Sequence, residues 1–222
     1  QSTGDGGASY NLGRVDLEST TKVATIEGVG GNRGGTIYNE GTLTVTGVAI
    51  DGVESQYGAI YNAGSATLAG STIQNANADR GGAVYNVGTL TISKSSEISN
   101  NTATVGAGLY NEGVANVVNS AFVGNEASES GGAVYNVGTL TITNAKLQSN
   151  VAELGGAAIY TVGNLLVNRA LIADNVAYNS SAILSKGATS VVSSLILANG
   201  DESSKSGTYA VLVSGGTMEL VG

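Results

Sequence analysis

Across 222 residues the chain has 34 Gly, ten Tyr and one Phe, with no Pro, Cys, Trp or His. The missing Cys excludes disulfides and thiolate metal sites. A net charge of −8 with only nine Lys and Arg, none clustered, argues against nucleic-acid backbones and anionic membrane surfaces, while 41% hydrophobic and 12% charged residues argue against disorder.

Taken in chain order, the first feature is Gly4-Asp5-Gly6-Gly7. It is the nearest approach to a calcium-binding GGxGxD nonapeptide and occurs once, so stacked calcium sites are not expected. Next comes Ser9-Tyr10-Asn11 with Gly13, then Asp16 and Glu18, which alternate on one face of a predicted strand. Residues 18–33 are less regular and offer a place for a cap. From there one motif returns again and again. Residues 34–45 read GGTIYNEGTLTV, residues 58–68 GAIYNAGSATL, residues 81–92 GGAVYNVGTLTI, residues 108–117 GLYNEGVANV, and residues 131–142 GGAVYNVGTLTI once more.

The Tyr position runs Tyr10, Tyr38, Tyr61, Tyr85, Tyr110, Tyr135 and Tyr160, then Leu184 and Leu212, at intervals of 28, 23, 24, 25, 25, 25, 24 and 28 residues. Asn follows directly at Asn11, Asn39, Asn62, Asn86, Asn111 and Asn136, and Gly two residues later, from Gly13 to Gly215. An aliphatic residue precedes the Tyr position in every rung but the first, where Ser9 stands. The other half of each coil carries a second motif, an apolar residue three before an Asn: Ile98/Asn101, Phe122/Asn125, Leu147/Asn150, Ile172/Asn175 and Ile196/Asn199.

A period of 24–25 residues rich in Gly and β-branched residues, with no long 3.6-residue stretch, rejects helix pairs. Alternation in Thr42-Leu43-Thr44-Val45, Thr89-Leu90-Thr91-Ile92 and Thr139-Leu140-Thr141-Ile142 signals strands. One coil cannot bury its apolar face, but stacked coils can. The expected fold is therefore all-β: a single-domain right-handed parallel β-helix over residues 1–222. It should have about nine coils of 23–28 residues, three short strands per coil, and no recognisable cap at either end. Asn amides both donate and accept, so the Asn39, Asn62, Asn86, Asn111, Asn136 column and the Asn101, Asn125, Asn150, Asn175, Asn199 column should form hydrogen-bonded ladders. Gly at the bend after the first ladder is expected to supply positive φ.

With these motifs in hand, the chain resembles the chlamydial polymorphic membrane proteins and related autotransporter-type bacterial surface proteins, whose signatures are GGA[ILV] and FxxN. Here they are Gly81-Gly82-Ala83-Val84, Gly131-Gly132-Ala133-Val134 and Phe122-Val123-Gly124-Asn125, with Ile or Leu replacing Phe elsewhere. The resemblance runs from Gly6 to Leu220. It implies a right-handed β-helix displayed on a bacterial cell surface and used in adhesion. The acidic, Lys-poor, Thr/Ser/Asn/Gly-rich composition and a start at Gln1 also suit an exported chain, processed or part of a longer one.

The leading functional expectation is a non-catalytic extracellular structural or adhesive protein without cofactor. Its expected partners are copies of itself or a host or cell-surface protein or glycan, not nucleic acid and not a membrane interior. Alternation places Tyr38, Tyr61, Tyr85, Tyr110, Tyr135 and Tyr160 on the outside, as a possible amphipathic surface stripe. The open coil edges at Gly7, Ala8, Ser9 and Tyr10, and at Met218, Glu219 and Leu220, are candidate end-to-end assembly surfaces. Two alternatives use other residues. Outward Thr42/Thr44, Thr89/Thr91 and Thr139/Thr141 would suit an ice-binding array, interrupted at Ser65/Thr67, Val114/Asn116, Asn164/Leu166 and Ala188/Ser190. A polysaccharide-active enzyme would need convergent acids, but Asp16/Glu18, Asp51/Glu54 and Glu126/Glu129 repeat in no column.

Overall fold

The computed structural model describes residues 4–19, 24–27, 30–178, 180–197, 199–200 and 210–221. Short strands wind into a parallel β-solenoid of about eight turns, and the described residues contain no helix. A first sheet of nine strands runs from Ser9–Asn11 through Ile37–Asn39, Val84–Asn86 and Leu109–Asn111 to Val211–Val213. A second, also of nine, runs from Arg14–Glu18 through Thr89–Ser93 to Met218–Val221. The third has eight strands, from Ala24–Glu27 to Leu195–Leu197. In each sheet the order is one coil after the next, and residues one repeat apart pair directly, as in Tyr85↔Tyr110 and Thr91↔Asn116.

The three expected strands per coil are these three sheets, and the structure adds a fourth. Seven short strands, from Gly30–Arg33 to Val176–Ala177, form it. Its inward side is a file of small residues, Ala78, Ala103, Ala127, Ala152 and Ala177, all buried. Part of this file packs into small alanine clusters separate from the main core. The described parts of segment 18–33 are ordinary strands of the first coil: Ala24–Glu27 pairs with Val48–Asp51, and Gly30–Arg33 with Glu54–Tyr57. Where a cap was expected, the described residues belong to the first coil.

The main core is a set of vertical aliphatic files. Ile60, Val84, Leu109 and Val134 come from the first sheet, Leu43, Leu90, Ile92 and Leu140 from the second, and Ile50, Ile73, Ile98, Phe122 and Leu147 from the third. Burying one such side chain contributes about 1.5–3 kcal/mol, and here every coil buries several against its neighbours. Phe122 is the largest fully buried side chain, and its own coil makes room for it. Gly108 stands where other coils have Ala59, Ala83 or Ala133, and Ala115 where they have Leu90 or Leu140. A Cβ on Gly108 would lie 2.6 Å from Cδ1 of Phe122.

Two kinds of glycine shape the corners. The Gly three residues before the first-sheet strand opens the turn into it in the left-handed region, with φ of 63° at Gly81 and Gly106 and 71° at Gly131. The glycines after the Asn column are different. Gly64, Gly88 and Gly113 do not take the positive φ expected of them; a Cβ there would overlap the carbonyl oxygen of the equivalent Gly one coil earlier. They are needed because successive turns stack in backbone contact.

Candidate functional site

The repeated polar residues were the first candidates, and the structure brings each set together in a file. In the first ladder the amide of Asn39 donates to Asn62 Oδ1 at 2.7 Å, Asn62 to Asn86 at 2.7 Å, Asn86 to Asn111 at 2.7 Å and Asn111 to Asn136 at 2.8 Å. Asn11 begins the series, and Thr161 ends it by accepting from Asn136 at 2.9 Å. Each amide also donates to turn carbonyls, as Asn111 does to Gly113 and Thr139. In the second ladder Asn101, Asn125, Asn150, Asn175 and Asn199 repeat one pattern. Nδ2 of each of the first four donates to the next Oδ1 at 2.9–3.0 Å, and its backbone N–H donates to that same oxygen at 3.0–3.1 Å. A buried amide without partners would cost about 1–3 kcal/mol, so the ladders are what lets polar corners sit inside the stack.

The tyrosines form the expected single file. Ring centroids from Tyr10 to Tyr160 are 4.6–5.2 Å apart, with planes within 20° of parallel. The rings lie outside the aliphatic core, yet they are not an exposed stripe, which corrects the surface expected of them. Tyr38, Tyr85, Tyr110 and Tyr160 are 4–8% exposed, and Tyr61 and Tyr135 are half-buried. The cause is the left-handed glycine turn, which lays the ends of the first three fourth-sheet strands beside the file. Arg33 stands over Tyr38 and Tyr61 at 5.0 and 5.6 Å, Tyr57 packs edge-on to Tyr85 at 5.2 Å, and Arg80 stands over Tyr110 at 5.6 Å. Burial pushes the phenols up, to about 12 at Tyr38, where the hydroxyl also donates to Glu40 at 2.8 Å, and to about 12 at Tyr135. Tyr85 rises for the same reasons, donating to Glu112 at 2.6 Å.

The acidic candidates stay apart. Asp16 accepts from Arg14 at 2.7 Å on the exposed outer face, a bond that holds its carboxyl below the usual range. Asp51 is held low by the amides of Gln74 and Asn75. Glu126 and Glu129 stand exposed on the fourth sheet. Among the described residues no three of His, Cys, Asp or Glu gather as a metal-binding group, and no helix is long and apolar enough to cross a membrane.

The outer face of the second sheet has a feature that motif reading passed over. Seven of its nine strands, from Thr42–Thr46 to Thr189–Val192, contain no charged residue, while the first and last carry Arg14, Asp16, Glu18 and Glu219. Thr44, Thr67, Thr91, Asn116 and Thr141 align along it in register, and Leu166 and Ser190 follow. At the ends, Ser9-Tyr10-Asn11 pairs only upward with Ile37–Asn39, and Met218–Val221 only downward with Thr189–Val192, among the described strands. Gly7 and Ala8 are tied to Gly34 and Thr36 of the next coil. Tyr10 and Leu220, which would be inside a longer stack, are 52% and 67% exposed.

No family model matches this sequence, and no curated protein or solved structure matches it either.

Proposed function

We propose that this chain is a non-catalytic structural or adhesive β-solenoid of the bacterial cell surface, a rod that presents its outer faces and can stack further coils on its ends. The observation that carries this reading is where the recurrent side chains are used. The two Asn ladders and the Tyr file contact the equivalent residue of the coil above and below. Thus the residues kept from rung to rung are those that propagate a rod, and the outward residues are free to vary as a binding face would. The GGA[ILV] and FxxN resemblance supports the surface location and the adhesive role. What supports stacking is that every coil already pairs in parallel, residue for residue, with the next, so a further coil repeats a contact the rod makes throughout.

Negative-stain microscopy of the purified chain tests assembly. The expected result is thin filaments of rods joined end to end, lost on Leu220→Asp. Dispersed short particles at high concentration would remove the stacking part of the proposal. Release of reducing ends from polysaccharides, abolished by Asp16→Asn or Glu129→Gln, would overturn the non-catalytic part.

A further inference from the structure

We infer that the charge-free middle of the second sheet's outer face, the seven strands from Thr42–Thr46 to Thr189–Val192, is a lateral self-association surface, docking a second copy of this chain face to face. Twenty-six of 222 residues are charged, and by strand alternation roughly half of all side chains face outward. About one outward position in four or five should then carry charge. The seven strands between Thr42 and Val192 offer about twenty outward positions and carry none. The third sheet shows Asp51, Glu97 and Lys146 and the fourth Asp79, Glu126 and Glu129, while the first sheet, whose strands are also uncharged, has its outward Tyr file largely buried.

Charge argues for the occupant. Two copies at −8 each repel; Arg14, Asp16 and Glu18 at one end of this sheet and Glu219 at the other lie outside the seven strands, so an approach centred on those strands sets few like charges against each other. The face also carries apolar contact groups: Val114 is 44% exposed and Leu166 39%. Thr44, Thr91 and Thr141 add methyl and hydroxyl groups in a flat, in-register row. Two such faces share one coil pitch, so the ridges of one copy can seat between those of the other along their whole length. Seven strands at ~4.8 Å by five residues at ~3.3 Å give roughly 570 Å² per copy, or about 1,100 Å² for a pair. That passes the size of a chance contact and falls short of a permanent dimer, so the expected association is weak, in the micromolar range.

Sedimentation equilibrium of the full chain tests this, over a wide concentration range and from low to moderate salt. The expected result is reversible dimerisation that strengthens as salt screens the acidic copies. Thr91→Lys and Thr141→Lys should each weaken it at least tenfold while circular dichroism and melting stay unchanged. Leu220→Asp, which blocks end stacking, should leave lateral dimers intact, so the two modes of assembly fail separately. A monomer at every concentration overturns the inference, as does association that ignores both Lys variants or weakens with salt. Ice crystals faceted by a monomer and restored to discs by Thr91→Lys would overturn it too, giving the face to ice.

Discussion

Among the described side chains, Thr36 is the one buried polar group without a partner. It occupies the position that Ala59 and Ala83 fill in the next coils, is fully buried, and its hydroxyl has no hydrogen-bond partner. Thr36→Val keeps the volume and removes the orphan oxygen, so it should raise stability by about 1 kcal/mol in a denaturant titration. Asn111 is the opposite case. It accepts from Asn86 and donates to Asn136, Gly113 and Thr139, all inside the stack. Asn111→Ala should cost about 2–4 kcal/mol, because partners on both sides lose their bonds. Asn111→Thr should cost less, since Thr161 already accepts from Asn136 in the same ladder at 2.9 Å. Equal losses for the two variants would mean that the ladder is not the source of the stability.

At the scale of the coil, volume is balanced within a level as well as along a file. Phe122 fills space that Gly108 and Ala115 leave open. Gly108→Ala alone forces its Cβ against the ring and against the Ala133 carbonyl oxygen, each 2.6 Å away, and should destabilise by about 1–3 kcal/mol. Phe122→Leu alone leaves a void beside Gly108. Together they relieve the contact with the ring, though not that with the Ala133 carbonyl, so the double variant should be more stable than the two separate losses predict, by about 0.5–1 kcal/mol in a double-mutant cycle. Strict additivity would contradict the packing described here.

The coil also shows which parts of the structure can be read from sequence. Files built from identical residues at a constant period, such as Tyr85–Tyr110–Tyr135 or Asn101–Asn125–Asn150, announce themselves because one physical solution is repeated. The fourth strand does not. Asn77-Ala78-Asp79-Arg80 and Thr102-Ala103-Thr104-Val105 each place a single small Ala inward between polar residues, too little apolar signal to mark a strand. The covering of the Tyr file was hidden for a related reason: it comes from the end of that unseen strand, where the column Arg33, Tyr57, Arg80 and Val105 keeps no constant residue type. The glycines after the Asn column were visible as a pattern, but their cause is contact between coils, which no local turn preference encodes.

Over the whole rod these files make stability a property shared between neighbours. The phenols supply a pH window. Tyr38 and Tyr135 are pushed from 10.0 to about 12 by burial, so the folded chain holds their protons more tightly than the unfolded chain. Their contribution is complete below pH 10 and is lost as pH rises through about 12. The melting temperature should therefore fall between those values, with tyrosinate absorbance rising in step with unfolding. A melting temperature flat across that interval would place the rings in solvent.

The account rests on equivalent residues lying one coil apart in a straight file, and distance between spin labels measures that directly. The chain has no Cys, so label pairs can be introduced on the outer face of the second sheet without competing thiols. Thr44 is four pairing steps from Thr141 and six from Ser190. Electron–electron double resonance should give roughly 19 and 29 Å between the backbone positions, a rise of about 4.8 Å per coil. Separations that do not grow by that constant step would contradict the solenoid and everything built on it.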